Sequence, residues 1–340
     1  MRGYLEGSKF PLTEIAGKKI PQIILGTHPF DGTTYTSMER DQRFREMWKG
    51  PQSMVDVMKP IIQRFGVTAS RGFPSDSKLS GWHQEALKMT MKALDIEIAV
   101  VLGSILPRKK RLDVSSYLYR LSFKVAGEAF QKTWRGDPIN QYWFKKRNWT
   151  ESEIEAFTTE STVLPLPPPP ALKNAEVDYE RLETLLNRWK GFNVPIYASN
   201  EAWEFMVLAQ RFDELQELVT LIKKRFGTFL LGTHYAGIII PMVEAAGIKV
   251  DGYSTPVNAA GILMFPTPTL ALKALRTTTK PIIAIKPLGG GRVHPNHAFT
   301  YLFQEIGVHA AMVGIGSMIE AEETLNAAKT ALKHQPFKNS

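Results

Sequence analysis

The 340-residue sequence contains no cysteine. Disulfides, thiolate nucleophiles, zinc ribbons and iron–sulfur clusters held by this chain are therefore excluded. No uninterrupted apolar run approaches the ~20 residues that a membrane-crossing helix needs, so no membrane partner is expected. Residues 1–19 hold no apolar core of the kind a secretory signal requires, and a cytoplasmic location is expected. Neither His-x-His nor His-Glu-x-x-His spacing occurs. His28, His234 and Asp31 could supply three ligands only by converging from distant positions, so no metal is expected. What the chain does have is 44% hydrophobic and 22% charged residues, the balance of a globular protein rather than a disordered one.

The net charge is +9, and it is unevenly spread. Between Arg108 and Thr150 there are 11 basic and 3 acidic residues, so that stretch alone carries +8 and the remainder is nearly neutral. The same region holds Tyr117, Tyr119, Trp134, Tyr142, Trp143 and Trp149. Cations interleaved with aromatics suit a lid over an anionic substrate, an oligomer contact or a solvated helical hairpin. They also suit single-stranded nucleic acid, but no RNA-binding signature accompanies them, and nucleic acid is not the expected partner.

Short runs rich in Ile, Val and Leu alternate with helical spacing. Strands are expected at Gln22–Gly26, Gly66–Ser70, Ile96–Leu102, Ser161–Leu166, Val194–Ser199, Thr228–Gly232, Lys249–Tyr253, Pro281–Lys286 and Ala310–Ile315. In Ala202–Arg225, apolar residues recur every three or four positions, which predicts one amphipathic helix. Alternation of this kind means parallel strands with helical crossovers, and continuous apolar strands mean a sheet buried on both faces. At this length the expected fold is α/β, a (β/α)8 TIM barrel of parallel strands, with a doubly wound open sheet as the alternative. The barrel uses one strand fewer than the pattern offers, so either Ser161–Leu166 or Val194–Ser199 is expected to lie outside it. The chain reads as a single domain over 1–340. A basic, aromatic-rich insertion over 107–160 follows the third strand, and a polyproline-like spacer follows at 165–170.

Ile24-Leu25-Gly26-Thr27-His28 is echoed by Leu230-Leu231-Gly232-Thr233-His234. Both copies end a predicted strand, which puts His28 and His234 at the barrel's C-terminal mouth as acid/base candidates. Asp31 could orient the His28 imidazole, or simply belong to an Asp-Gly turn. Lys286 closes the apolar run Pro281–Ile285. Partial desolvation there would make it a base, a Schiff-base former or an anion partner. Gly289, Gly290, Gly291 and Arg292 follow directly. Gly314, Gly316 and Ser317 end the last strand ahead of a helix. Glycine-rich loops after the final two strands of a barrel, one of them opening a helix, predict a phosphate cradle.

The stretch from about Phe229 to Ala328 resembles the aldo/keto reductase superfamily, especially its divergent prokaryotic branch. Phe229-Leu230-Leu231-Gly232-Thr233-His234 is similar to that branch's fifth strand, and Val250-Asp251-Gly252-Tyr253 with Pro256-Val257-Asn258 to its sixth. Ile285-Lys286-Pro287-Leu288-Gly289-Gly290-Gly291 resembles the seventh, and Val313-Gly314-Ile315-Gly316-Ser317 the eighth. Glu320, Glu322 and Glu323 fall in the final helix. The resemblance implies an eight-stranded barrel and a nicotinamide cofactor, NADP first, with its phosphates on the last loops. The family's Asp, Tyr, Lys and His come from the second, third and fourth strands. Here those strands offer Thr68-Ala69-Ser70-Arg71-Gly72, Val100-Val101-Leu102-Gly103-Ser104 and a proline-rich stretch without histidine, so the tetrad is not matched. The expected function is an NADP-linked oxidoreductase with a non-standard site, acting on a phosphorylated or anionic small molecule. The alternatives are a non-redox lyase or isomerase using Lys286, and a non-catalytic barrel binding a nucleotide or nucleic acid.

Overall fold

Strand-forming runs buried on both faces must be covered inside and out, and a closed barrel wrapped in helices does both. The computed structural model describes residues 9–110, 114–162 and 170–334. An antiparallel hairpin, β1 (Leu12–Ile15) and β2 (Lys18–Pro21), precedes eight parallel strands. These are β3 (Ile23–Gly26), β4 (Ala69–Gly72), β5 (Ala99–Leu102), β6 (Ile196–Ala198), β7 (Phe229–Gly232), β8 (Gly252–Pro256), β9 (Ile282–Ile285) and β10 (Ala310–Gly314). Each pairs with the next in chain order, and β10 returns to β3 with Gly314 opposite Gly26, closing the barrel.

Side chains alternate as the pleat demands. Ile24, Val101, Ile196, Leu230, Ile283 and Ala310 fill the interior, while Ile23, Leu25, Val100, Leu102, Phe229 and Leu231 pack outward against the helices. The hairpin was not foreseen from the sequence. Its turn, Ala16-Gly17, has both residues at positive φ (49° and 76°), the geometry a twisted two-residue hairpin needs. Ile15 and Ile20 are fully buried among the interior residues, so the hairpin stops the N-terminal end of the barrel. Complete burial of each isoleucine contributes about 2 kcal/mol.

Val194–Ser199 supplies the barrel strand β6. Of Ser161–Leu166, Ser161 and Thr162 close the helix Glu151–Thr162, and the rest falls outside the described residues, as does most of the proline run. Gly66 is not in a strand. It caps the helix Pro51–Phe65 at φ 69°, which moves β4 toward Gly72. The helix expected over Ala202–Arg225 is broken into Glu204–Leu208 and Phe212–Phe226, with Gln210 at φ 55° between them. The first piece is drawn onto the barrel mouth, where Glu204 accepts a hydrogen bond from Thr233 and the Trp203 indole donates to the Ser104 carbonyl at 3.1 Å. No helix among the described residues is long and apolar enough to cross a membrane.

The insertion after β5 folds as helices Ser115–Gly136, broken by a kink at Gly127 (φ 52°), Pro138–Lys146 and Glu151–Thr162. Its base is closed where the Lys109 N–H meets the Glu176 carbonyl and the Asp178 N–H meets that of Pro107. Tyr119, Phe130, Trp134 and Phe144 pack with Ile262, Leu263 and Phe265 from the loop after β8. Asp137 caps the helix Pro138–Lys146 by accepting from the N–H groups of Ile139 and Asn140, and takes the Leu263 N–H at 2.6 Å on its other oxygen. Burial pushes its carboxyl up, against the pull of these N–H donors.

Candidate active site

A cleft of about 620 Å3 opens at the C-terminal ends of the strands. His28, Asp31, His234, Lys286, Gly290, Gly291, Arg292 and Gly314 all line it. Gly289, Gly316 and Ser317 are not among its lining residues, and neither is any residue from 107–160.

One helical turn, His28–Asp31, has Pro29 at its second position and stops at Gly32, which adopts φ 72°. Three-residue spacing puts His28 and Asp31 on one face, with Nδ1 3.3 Å from the Asp31 carboxylate. The chain then turns back, and the Tyr35 hydroxyl comes to 3.0 Å from Nε2 of the same imidazole. The tautomer that serves both contacts donates from Nδ1 to Asp31 and accepts from Tyr35 at Nε2. The Lys286 ammonium lies 4.2 Å above the Tyr35 ring centre. Tyr35 and Lys286 hold left-handed backbones, at φ 57° and 53°. Such strain costs roughly 1–2 kcal/mol per residue and gathers at functional sites.

Tyr35 is held from behind. The Arg292 guanidinium donates to its carbonyl at 2.9 Å, and Tyr142 and Trp143 of the insertion meet its ring edge-on at 6.3 and 6.1 Å. The neighbouring Thr34 gives its N–H (2.8 Å) and its hydroxyl (2.9 Å) to Asp41, a carboxylate 1% exposed. Asp41 also accepts from the Tyr142 hydroxyl and from Lys146 at 2.9 Å. Burial drives the Asp41 carboxyl up, but the donors Tyr142, Lys146 and Thr34 outweigh it and leave it below its ordinary value. Burial lowers Lys146, and its bonds to Tyr142 and Asp41 more than reverse this. Lys146 is thus spent on the fold rather than facing solvent or substrate.

The two glycine loops differ. Gly289, Gly290 and Gly291 all take positive φ. The N–H groups of Gly289, Gly291, Arg292 and Val293 are used within the turn, on the carbonyls of Lys286 and Leu288. The Gly290 N–H has no acceptor among the described residues. At the other loop, Gly316 gives its N–H to Glu320 at 2.8 Å, Ser317 caps the helix Met318–Lys333, and Glu320 pairs with Arg40. A Cβ on Gly316 would lie 2.2 Å from the Phe44 ring. A carboxylate and an aromatic ring of the chain itself fill that half of the expected cradle. Among the described residues no group of three His, Cys, Asp or Glu side chains is placed to hold a metal ion.

Tyr35 and Arg71 are the site residues that sequence reasoning missed. Tyr35 sits in a Thr-rich loop with no motif around it. Arg71 was visible only as the residue standing in a strand that lacked the expected Asp and Tyr.

No protein-family model matches the sequence, and no curated protein matches it. Among solved structures, a putative aldo-keto reductase from Pseudomonas aeruginosa superposes with a TM-score of 0.51 at 13% identity, covering 98% of this chain and 99% of that one. Another structure titled as a putative aldo-keto reductase from the same organism gives 0.48 at 14% identity, covering 97% and 98%. An aldo/keto reductase from Brucella melitensis gives 0.44 at 11%, covering 99% and 100%. The first likeness extends over nearly the whole chain, not only the last third in which the sequence resemblance lies, and at such identity it is a likeness of fold.

Proposed function

We propose that the chain is an oxidoreductase of the aldo/keto reductase kind, linked to NADP, that reduces a carbonyl group with Tyr35 as the proton donor. The observation that carries this reading is the Tyr35 hydroxyl, held on the His28 imidazole with the Lys286 ammonium over its ring. The family's residue types, Asp, Tyr, Lys and His, are gathered here from the loops after β3 and β9 instead of from the family's own strands.

The residues fit a dinucleotide in part. Gly290, with its unengaged N–H, would meet a phosphate, with the Arg292 guanidinium beside it and Arg40, paired with Glu320, across the cleft. Gly316 and Ser317 would join them only once Glu320 has left the Gly316 N–H. A nicotinamide, when bound, supplies a hydride to a carbonyl carbon. Tyr35 gives its proton to the carbonyl oxygen as negative charge builds there. The Lys286 cation favours the phenolate that results. For the transfer, the Tyr35 hydroxyl turns its one proton from His28 Nε2 to the carbonyl oxygen. Nε2 then takes a proton from solvent through the partly exposed ring and passes it to the phenolate, restoring the starting tautomer. Asp31 keeps the imidazole in line through Nδ1. His234, in the loop after β7, the strand diametrically across from β3, would steady the polar end of the substrate.

The test is oxidation of NADPH, followed at its nicotinamide absorbance, with a panel of aldehydes, ketones and oxo acids. Turnover with any of them supports the reading. No turnover across the panel, with NADPH shown to bind, would overturn it.

A further inference from the structure

Asp31, His28 and Tyr35 form a row of hydrogen bonds at the mouth. Nδ1 of His28 donates to the Asp31 carboxylate at 3.3 Å, and Nε2 of the same ring accepts from the Tyr35 hydroxyl at 3.0 Å. The two rings stand edge to face, 4.8 Å apart at 79°. At rest the one hydroxyl proton therefore points at the imidazole, while Tyr35 lines the cleft. A hydroxyl, a base in contact with it and a carboxylate that orients the base are the parts of an activated nucleophile.

The charges on either side favour moving that proton to His28. Asp31 gives only Oδ2 to the ring; its Oδ1 is buried and accepts no hydrogen bond among the described residues. A carboxylate so short of donors gains most when the imidazole becomes an imidazolium. On the other side, the Lys286 ammonium, 4.2 Å above the Tyr35 ring centre, gains when the phenol becomes a phenolate. Transfer of the proton thus leaves alternating charges along the row: Asp31 negative, His28 positive, Tyr35 negative, Lys286 positive. The backbone points the same way. Tyr35 sits at φ 57°, with Thr34 tied to Asp41 on one side and the Thr36 hydroxyl donating to the Gly290 carbonyl at 3.0 Å on the other. A strained turn that presents a nucleophile to an open cleft is a device that hydrolases use.

We propose that Tyr35 is a nucleophile as well as an acid, and that the site hydrolyses small aryl esters through an acyl–Tyr35 intermediate. The proposal goes beyond the reductase reading and needs no nicotinamide. In the first step the Tyr35 oxygen forms a bond to the acyl carbon and its proton passes to His28 Nε2. The bond from the acyl carbon to the leaving oxygen breaks, and His28 gives the proton to the departing phenol. In the second step water attacks the acyl carbon and its proton passes to Nε2. The Tyr35 oxygen leaves and takes that proton back. The products are a carboxylic acid and a phenol, with nothing oxidised or reduced. The leaving group must rival a tyrosine phenolate, which is why the substrate is an aryl ester and not an alkyl one. His28 is the base, and Asp31 is a positioning residue that keeps Nε2 turned to Tyr35.

The experiment is rapid mixing of the full chain, without nicotinamide, with 4-nitrophenyl acetate. Release of 4-nitrophenolate is followed, and the quenched protein is mapped by peptide mass spectrometry. Because 4-nitrophenolate leaves more readily than a tyrosine phenolate, acylation outruns deacylation and the intermediate accumulates. A burst stoichiometric with protein and an acetyl group on Tyr35 are expected. Tyr35→Phe should lose both, and His28→Gln should slow the burst about 100-fold or more. Asp31→Asn should slow the burst while the ester concentration at half-maximal rate stays within about twofold, a split that loss of structure would not give. An unaltered protein whose Tyr35 carries no acetyl group, whatever lysines are labelled, would overturn the proposal without any variant having to fold. So would a folded Tyr35→Phe that keeps the burst. Acetylated Tyr35 without turnover of any carbonyl by NADPH would sink the reductase reading and leave the nucleophile standing. Carbonyl turnover with Tyr35 unlabelled would do the reverse.

Discussion

The Lys286 ammonium sits 4.2 Å above the centre of the Tyr35 ring, although the two residues are carried by different loops at the mouth. Neither loop reaches this position in a relaxed conformation, since both residues are left-handed and Arg292 ties the Tyr35 carbonyl to the glycine turn after Lys286. A cation on the ring face should matter most when the phenol surrenders its proton. Lys286→Met is expected to lower kcat for carbonyl reduction about tenfold or more, with a smaller change in KM. Equal loss in both would show that the lysine serves binding instead.

Asp41 joins the Tyr35 loop to the insertion. Asp41→Asn leaves Lys146 and Tyr142 without their carboxylate and should cost about 3 kcal/mol, read by denaturant unfolding. Because the folded Asp41 lies below its ordinary value, its contribution is complete above about pH 4 and fades as pH falls further. Lys146, raised above its ordinary value, contributes fully below about pH 10.5 and less as pH climbs past its folded value. The variant should flatten both limbs of the stability profile.

His83 packs its ring 5.0 Å from Phe30, inside the short helix that presents His28. Burial lowers its pKa from 6.5 to about 4. Between those values the unfolded chain takes up a proton that the folded chain refuses, so stability falls as pH drops from 6.5 to 4. The loss should approach about 3 kcal/mol, and His83→Leu should remove it. An unchanged acid limb in the leucine variant would show that His83 is not its source.

Gly290→Asp would set a Cβ 2.7 Å from Arg292 Nη1 at φ 68°, so that it displaces the guanidinium and puts a carboxylate in the cradle. It should abolish NADPH binding, measured by quenching of protein fluorescence, while the barrel keeps its circular dichroism. Unchanged affinity in the folded variant would remove the cradle from the loop after β9.

The barrel was legible because its signal is local. Each apolar run and each helical repeat announces itself, and closure follows from their alternation. Legibility failed where a long-range contact sets the outcome. The hairpin is stabilised by Ile15 and Ile20 entering an interior built from seven other segments. Gly66 is the opposite case: its left-handed cap on the helix Pro51–Phe65, bonded to Ile62, is a local stop signal that the strand reading passed over. At the site, His28, Asp31 and Lys286 could be found because they stand at or just past strand ends. Tyr35 could not, since Asp41, Arg292 and the insertion decide where its loop lies. The order of Gly316 and Ser317 matched a phosphate motif, but Glu320 and Phe44 fill that place, and no glycine spacing reports what sits above it.

The account turns on Tyr35 as proton donor, and the most direct measurement is kcat of Tyr35→Phe with a carbonyl substrate and saturating NADPH, beside calorimetric binding of both ligands. Removing the hydroxyl while keeping the ring under Lys286 should lower kcat by 100-fold or more, within the roughly 10²–10⁴ range of general acid catalysis, and leave both affinities within about twofold. A Tyr35→Phe variant that turns over at the unaltered rate would contradict the account.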